Sequence, residues 1–142
     1  TIAILNSQRD HKEFDLEKDS EAFYNDSVIA AACILAKDTN ADALIGMTNS
    51  GYTAYKIARH RPLANIFIFT SNKSLLNTLN LTWGVRAFYY DSFVSTDHTF
   101  YDIQNFLVEQ GLLEKGNLCI NLASMPIERK SRTNMLKLSW IR

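Results

Sequence analysis

The segment TNSGYT, residues 48–53, crowds hydroxyl and amide side chains around a single glycine. Thr48, Ser50 and Thr53 carry hydroxyl groups that can hydrogen-bond to a phosphate or a carboxylate. Gly51 lets the main chain approach a ligand closely, because it has no Cβ atom. These residue types can bind an anion, but they supply no group that would catalyse a reaction on it.

The same residues also fit an ordinary helix start. Asn49 or Ser50 could act as an N-cap, whose side-chain oxygen accepts a hydrogen bond from a backbone N–H of the first helical turn. The segment matches neither the Gly-x-Gly-x-x-Gly pattern nor the P-loop pattern of nucleotide-binding proteins. Periodicity alone therefore favours the interpretation that this turn only caps a helix over the interpretation that it binds an anion. The chain also shows no nucleophile elbow, no paired-carboxylate site and no Ser/His/Asp arrangement with a recognisable local signature.

Alternating strand and helix patterns position this turn. Short apolar segments predict strands at 43–48, 65–70, 85–90, 117–123 and 134–141. Helical patterns are found at about 19–37, 51–60, 73–80 and 96–111, with Thr96 as the expected cap of the last helix. This alternation predicts an α/β sandwich with a mainly parallel sheet. Only about ten residues separate the last two strands, too few for a parallel crossover, so strand five is predicted to run antiparallel to strand four.

The predicted sheet places the turn beside a basic loop. If strand one is central, with strands two and three on one side and strand four on the other, the strand order reverses between strands one and four. Ligands of open parallel sheets bind at such a reversal, at the carboxyl ends of the strands. The helix N-terminus there favours a phosphate or a carboxylate. Arg129, Lys130 and Arg132 in the loop SMPIERKSRT would add positive charge.

Composition excludes several classes of function. The formal net charge is zero and the pI is near 6.8, so we expect no attraction to nucleic acid or to an anionic membrane. The longest apolar run, 28–36, is about half the length of a membrane span, and the chain does not open with a signal-peptide pattern. That run is apolar on nearly every helical face, which predicts burial on more than one side, in a core or at a subunit interface.

Cysteine and histidine usage predicts neither a disulfide nor a metal site. Cys33 and Cys119 both lie inside apolar runs and are predicted to be small buried thiols. The three histidines are far apart in the sequence and lack the spacing of metal ligands. No internal repeat or flexible linker divides the chain, which is predicted to be one domain.

The segment ADALIGMTNSGYTAYKIARHRPLANIFIFTSNKSLLNTLNLTWGVRAFYY resembles the C-terminal domain of pyruvate kinases. The family pattern Thr-x-Ser-Gly-x-(Ser/Thr)-Ala is matched from Thr48 to Ala54, and a helix closing in Tyr/His-Arg-Pro is matched at 60–62. The Leu-x-x-Gly-Val turn of the family is matched at 81–85. Farther on, VEQGLLEKGNLCINLA and RTNMLKL are similar to the last helix and the last two strands of that domain. The resemblance covers residues 20–140.

This resemblance implies a three-layer α/β/α sandwich with a mixed five-stranded sheet in the order 3-2-1-4-5, whose last strand is antiparallel. Residues 1–16 would be the tail of the preceding helix, and 17–142 the C-terminal domain. The family's catalytic barrel, which transfers phosphate from phosphoenolpyruvate to ADP with Mg and K ions, lies upstream and is absent here. The resemblance therefore implies a cytoplasmic, glycolytic parent enzyme, and a fragment with no catalytic residue, metal or cofactor that is inactive alone.

The resemblance also implies allosteric regulation and tetramer assembly. The expected partners are the catalytic barrel, further copies of the chain and a small phosphorylated effector, with no nucleic acid and no membrane. The implied effector site comprises Thr48, Asn49, Ser50, Gly51, Tyr52, Thr53, Arg129, Lys130 and Arg132. The family often has a basic residue at the position of Tyr52, a small or apolar one at that of Arg132, and glycines in the loop, which this chain lacks. We therefore expect a phosphate site without specificity for fructose 1,6-bisphosphate.

Two alternative functions stay open. The chain could be a free-standing domain of the same fold that binds a phosphorylated metabolite on its own. It could also be an enzyme of flavodoxin-like or Rossmann-like architecture. That second alternative needs a nucleotide loop or a catalytic cluster, and the sequence patterns show neither.

Overall fold

Five strands form one mixed sheet in the order β3-β2-β1-β4-β5 in the computed structural model, which describes residues 21–92, 95–124 and 132–142. The elements in chain order are α1 (Glu21–Thr39), β1 (Ala43–Met47), α2 (Tyr52–Arg59), β2 (Asn65–Thr70), a 3-10 turn (Lys73–Leu75), α3 (Leu76–Leu81), β3 (Val85–Tyr89), α4 (Thr96–Glu109), β4 (Leu118–Ala123) and β5 (Met135–Trp140). All strand pairs are parallel except β4–β5, which is antiparallel. The predicted fold class, strand order and antiparallel last strand are confirmed.

Helices cover both faces of the sheet, and this gives the three layers. Successive side chains of a strand point to opposite faces. In β1, Leu44 joins a buried cluster with residues of α1, α2 and α3, whereas Ile45 joins a second cluster with residues of α4. Every residue of β1 is buried. Strands covered on both faces are apolar throughout, which is why the sequence shows continuous apolar runs instead of alternation.

Helix α1 buries one face and exposes the other. Ile29, Ala32 and Ala36 are buried in the cluster shared with α2, but Tyr24 is 64% exposed and Ile34 is 40% exposed. The prediction that this helix is buried in a core on more than one side is therefore wrong for the chain by itself. The other alternative, a subunit interface on its outer face, stays a prediction.

The starts of two helices differ from the sequence prediction. The N-cap of α4 is Ser95, not Thr96, because the Ser95 hydroxyl oxygen accepts a hydrogen bond from the His98 N–H at 3.2 Å. The segment predicted as a helix over 73–80 begins as a 3-10 turn, in which the Asn72 side chain accepts from the Ser74 N–H. Gly111, with φ of 72°, follows the Gln110 C-cap of α4, close to the predicted end of this helix. The predicted helical tail at 1–16 lies outside the described residues.

The two cysteines are free and buried, as predicted. Burial, with a smaller contribution from the Asp42 charge, raises the pKa of the Cys119 thiol to about 12, which keeps it protonated and unreactive at neutral pH. Across the described residues, no cluster of three or more His, Cys, Asp or Glu side chains could hold a metal ion. None of the helices in that same part of the chain is both long and apolar enough to cross a membrane.

Candidate functional site

The turn at 48–53 lies at the carboxyl end of β1, between β2 and β4, where the strand order reverses. The Thr48 N–H donates to the Phe69 carbonyl at 3.1 Å, which ties the turn to β2. The Gly51 N–H donates to the Thr48 hydroxyl oxygen at 2.9 Å. Gly51 has φ of 87°, and a Cβ atom there would lie 2.9 Å from Tyr55 Cε2. The backbone conformation therefore favours glycine at this position, and a larger residue would also have to displace the Tyr55 ring.

Helix α2 begins without a side-chain cap. Its N-cap is Gly51, and no side chain accepts the hydrogen bond that a cap would accept. Ser50 Oγ accepts only a long hydrogen bond, 3.4 Å, from the Tyr52 N–H, and Asn49 Oδ1 accepts from Ser71 Oγ instead. Neither Asn49 nor Ser50 is therefore the N-cap, because the left-handed Gly51 occupies that position and Ser50 Oγ reaches only the N–H of Tyr52. No cap side chain therefore satisfies the N–H groups that follow Tyr52 in the first helical turn.

A second wall of the site comes from the segment that leads into β5. The Thr53 and Thr133 hydroxyl oxygens are hydrogen-bonded at 2.8 Å, and both residues are buried. Asn25 of α1 donates from Nδ2 to the Thr133 carbonyl at 2.7 Å. The predicted side-by-side placement of turn and loop is therefore seen at Thr133.

Only one of the three predicted basic residues lies in the described part of the chain. Arg132 is exposed, and its Cζ atom lies 5.9 Å from the centre of the Tyr52 ring. Arg129 and Lys130 lie outside the described residues, and their roles stay predictions. Arg132 thus places a positive charge next to the residue that follows Gly51.

The Tyr52 side chain points to a buried carboxylate on α1. Its hydroxyl donates to Asp26 Oδ1 at 2.6 Å, and Lys56 Nζ lies 3.4 Å from the other carboxylate oxygen of Asp26. Burial, followed by the hydrogen bond and charge of Asp26, raises the pKa of Tyr52 to about 12, although the Arg132 and Arg59 charges act in the opposite direction. Tyr52 therefore stays a neutral hydrogen-bond donor over the physiological pH range.

Sequence reasoning missed several residues that shape the site. They are Asn25 and Asp26 of α1, Lys56 of α2, Ser71 and Asn72 after β2, and Thr133. One available signal was the spacing of Tyr52 and Lys56, which are four residues apart and so share a helical face. The other contacts join residues distant in sequence and had no local signal. As a whole, the site offers the start of a helix, hydroxyl groups and the exposed Arg132 guanidinium to an anionic ligand.

Comparison with known proteins decides the family. The family model described as "Pyruvate kinase, alpha/beta domain" matches residues 26–139, which include the turn, α2 and the Thr133 segment. The chain belongs to this family. A pyruvate kinase from Clostridium acetobutylicum is 32% identical over 117 residues, which are 82% of the chain and 25% of that relative. One from Thermoplasma acidophilum is 26% identical over 145 residues, which are 99% of the chain and 26% of that relative.

Solved structures show that the pyruvate kinase alpha/beta fold extends over the described elements. A crystal structure of a pyruvate kinase from Cryptosporidium parvum superposes on this chain with a TM-score of 0.82 and 20% sequence identity. The match covers 99% of this chain and 26% of the Cryptosporidium chain. At this identity the likeness shows the fold alone. The chain spans about a quarter of the length of the pyruvate kinases that it matches. The resemblance found in the sequence is confirmed.

Proposed function

We propose that this pyruvate kinase alpha/beta domain is a regulatory domain and binds a small phosphorylated effector at the turn 48–53. The observation that carries the proposal is the uncapped start of α2, which follows a left-handed Gly51 at the reversal of strand order. Such a helix start presents N–H groups and the positive end of the helix dipole to an anion. The exposed guanidinium of Arg132 would add a charge-assisted contact to the same phosphate.

The effector is left open by the proposal, and Tyr52 is the reason. A cation at this position would add a second positive charge to the turn, whereas Tyr52 stays neutral and is held by Asp26. We therefore propose that the turn binds a phosphate group but does not prefer fructose 1,6-bisphosphate as its effector. The alternative function, a free-standing domain that binds a phosphorylated metabolite, would use the same site. It differs from the regulatory domain only in having no catalytic barrel as its partner.

We further propose that the parent protein transfers phosphate from phosphoenolpyruvate to ADP on a separate barrel, with Mg and K ions bound there, in the cytoplasm. This chain by itself is expected to show no turnover, since the proposed chemistry belongs to the barrel and the described residues hold no His, Cys, Asp or Glu cluster for a metal ion. A coupled assay of pyruvate formation checks this expectation, with a full-length pyruvate kinase as the positive control. Turnover by the pure chain would contradict the regulatory role.

Assembly with further copies is the second part of the proposed role. The outer face of α1 exposes Tyr24 and Ile34, large apolar side chains that a subunit contact would cover. We propose that this face contributes to the homo-oligomer of the parent enzyme. We propose no nucleic acid or membrane partner, in keeping with the neutral net charge.

Phosphate is expected to raise the thermal midpoint of the chain by several degrees when present at about 100-fold excess over its Kd. The double substitution Ser50→Ala plus Thr53→Ala is expected to remove this rise, because it deletes two hydroxyls at the start of α2, one beside the Tyr52 N–H and one in the first helical turn. Differential scanning fluorimetry with inorganic phosphate and with a panel of sugar phosphates and nucleotides provides the measurement.

The matched control is Ser27→Ala plus Thr39→Ala. These two residues are exposed on α1, and each hydroxyl donates only to a carbonyl four residues earlier in the helix. This variant is expected to keep the phosphate-induced rise. A wild-type chain whose midpoint responds to none of the phosphorylated compounds would mean that the turn binds no effector.

A further inference from the structure

We infer that Asp26 of α1 is a positioning residue for the phosphate turn, through the hydroxyl of Tyr52 and without touching the ligand. The inference rests on the proposed phosphate site and deepens it, because it names the group that determines how tightly the site binds. By its negative charge, Asp26 would weaken the binding of phosphate. By its position, according to the inference, it strengthens that binding.

Asp26 is only 2% exposed, and both of its oxygens are engaged with α2. Oδ1 accepts from the Tyr52 hydroxyl at 2.6 Å, and Oδ2 lies 3.4 Å from Lys56 Nζ. A buried carboxylate is costly unless it is paired and hydrogen-bonded, so these contacts hold α1 and α2 in one arrangement. Tyr52 is the first residue of α2 and directly follows Gly51. Holding its ring therefore holds the N–H groups that face the ligand.

Asn25, the neighbour of Asp26, holds the opposite wall of the site. Its Nδ2 donates to the Thr133 carbonyl at 2.7 Å, and its own Oδ1 is buried without a hydrogen-bond partner among the described residues. We call Asn25 and Asp26 together the α1 clamp. Asp26 fixes the start of α2 and Asn25 fixes the segment before β5. The hydroxyl pair Thr53–Thr133, at 2.8 Å, then closes the contact between these two walls.

Charge and position predict opposite effects of removing the carboxylate. Asp26 is a negative charge near a site for an anion, so through charge alone its neutralisation would strengthen phosphate binding and leave Lys56 as a free cation. Through position, the same change weakens binding, because the hydrogen bond of the Tyr52 hydroxyl becomes weaker and the start of α2 is less well fixed. The sign of the change in affinity for Asp26→Asn therefore separates the two mechanisms.

The experiment measures the Kd of inorganic phosphate by isothermal titration calorimetry on the full 142-residue chain, at a temperature well below each variant's thermal midpoint. Asp26→Asn and Tyr52→Phe are each expected to raise the Kd about tenfold. Tyr52→Phe removes one hydroxyl without changing charge or ring, so it tests the inference even if Asp26→Asn does not fold. Asp26→Glu, which keeps the charge and a hydrogen-bond acceptor, is expected to restore part of the affinity.

The matched control is Asp97→Asn. Asp97 is also paired with a lysine, since Lys137 Nζ lies 2.9 Å from its Oδ1, but this pair lies on α4 and β5 and does not contact Tyr52. Its neutralisation is expected to leave the Kd within about twofold. A wild-type Kd in Tyr52→Phe, or tighter binding in Asp26→Asn, would overturn the inference and leave the proposed site intact. A wild-type chain that does not bind phosphate would overturn the proposed site and the inference together.

Discussion

Replacing Gly51 with valine is expected to abolish phosphate binding and to lower the free energy of unfolding by about 2–4 kcal/mol. Two costs combine in this substitution. Gly51 has φ of 87°, a conformation that β-branched residues strongly disfavour, and its Cβ atom would lie 2.9 Å from Tyr55 Cε2 and 3.4 Å from Leu79 Cδ2. The Tyr55 ring is 37% exposed and can move aside, but the left-handed strain is relieved only by a change in the conformation of the turn, which disturbs the proposed anion site. Urea denaturation and phosphate titration measure the two effects.

Gly116→Val separates strain from crowding. Gly116 has a similar φ of 93°, but a Cβ atom there meets nothing within 4 Å. This control is expected to lower the free energy of unfolding by about 1–2 kcal/mol through backbone strain alone and to leave phosphate binding unchanged. If Gly51→Val still bound phosphate with wild-type affinity, the left-handed glycine would be part of the fold and not of a binding site.

The residue types of the turn could be predicted from the sequence, but their partners could not. Thr48, Gly51 and Thr53 lie within six consecutive residues, so the sequence alone places them at one strand end. Asp26 lies 26 residues from Tyr52, and Asn25 lies 108 residues from Thr133. Nothing local marks such pairs, because they meet only after α1 packs across the sheet. A buried carboxylate inside a helix is also the opposite of what hydrophobic patterning predicts.

Strands were predicted better than helix faces, and the reason is physical. β1 is buried at every position and β2 at every position after Asn65, so short, mainly apolar runs mark both strands, at 43–47 and 65–70, in the sequence. In α1, alanine and other apolar residues surround the axis, and no periodicity indicates which side meets the sheet. The structure shows that the face of Ile29 and Ala32 is the buried one.

Capping was predicted least well, since it depends on the conformation of single residues. Asn49 and Ser50 have the side chains of good N-caps, and the choice between cap and anion site could not be made from them. The left-handed Gly51 takes the N-cap position itself, which leaves Ser50 only a long contact with the Tyr52 N–H and Asn49 none with the helix start. The polar side chains of Asn49 and Ser50 are therefore present beside the helix start but do not cap it. This arrangement differs from a helix start that has no polar residue nearby.

Phe69→Ala is expected to lower the free energy of unfolding by about 3–5 kcal/mol, the largest loss that we predict for a single truncation. Phe69 is 1% exposed on β2 and is surrounded by three other rings. It stacks on Phe88 at 5.4 Å between ring centres, and it makes edge-to-face contacts with Tyr90 at 6.4 Å and Phe106 at 6.1 Å. Such pairs add to the apolar burial. Because a domain is stable by only about 5–15 kcal/mol, this loss takes a large part of the total.

Tyr101→Ala is the matched control, since Tyr101 lies on α4 but is 65% exposed. Its truncation is expected to change the free energy of unfolding by less than about 0.5 kcal/mol. Urea denaturation measures both variants, and a loss below about 1 kcal/mol for Phe69→Ala would show that the ring cluster is not the support of this face of the sheet. The Phe69 carbonyl, which accepts from the Thr48 N–H at 3.1 Å, is kept in the alanine variant. Phosphate affinity, measured where the variant is still folded, is therefore expected to stay close to wild type, which separates loss of stability from loss of the site.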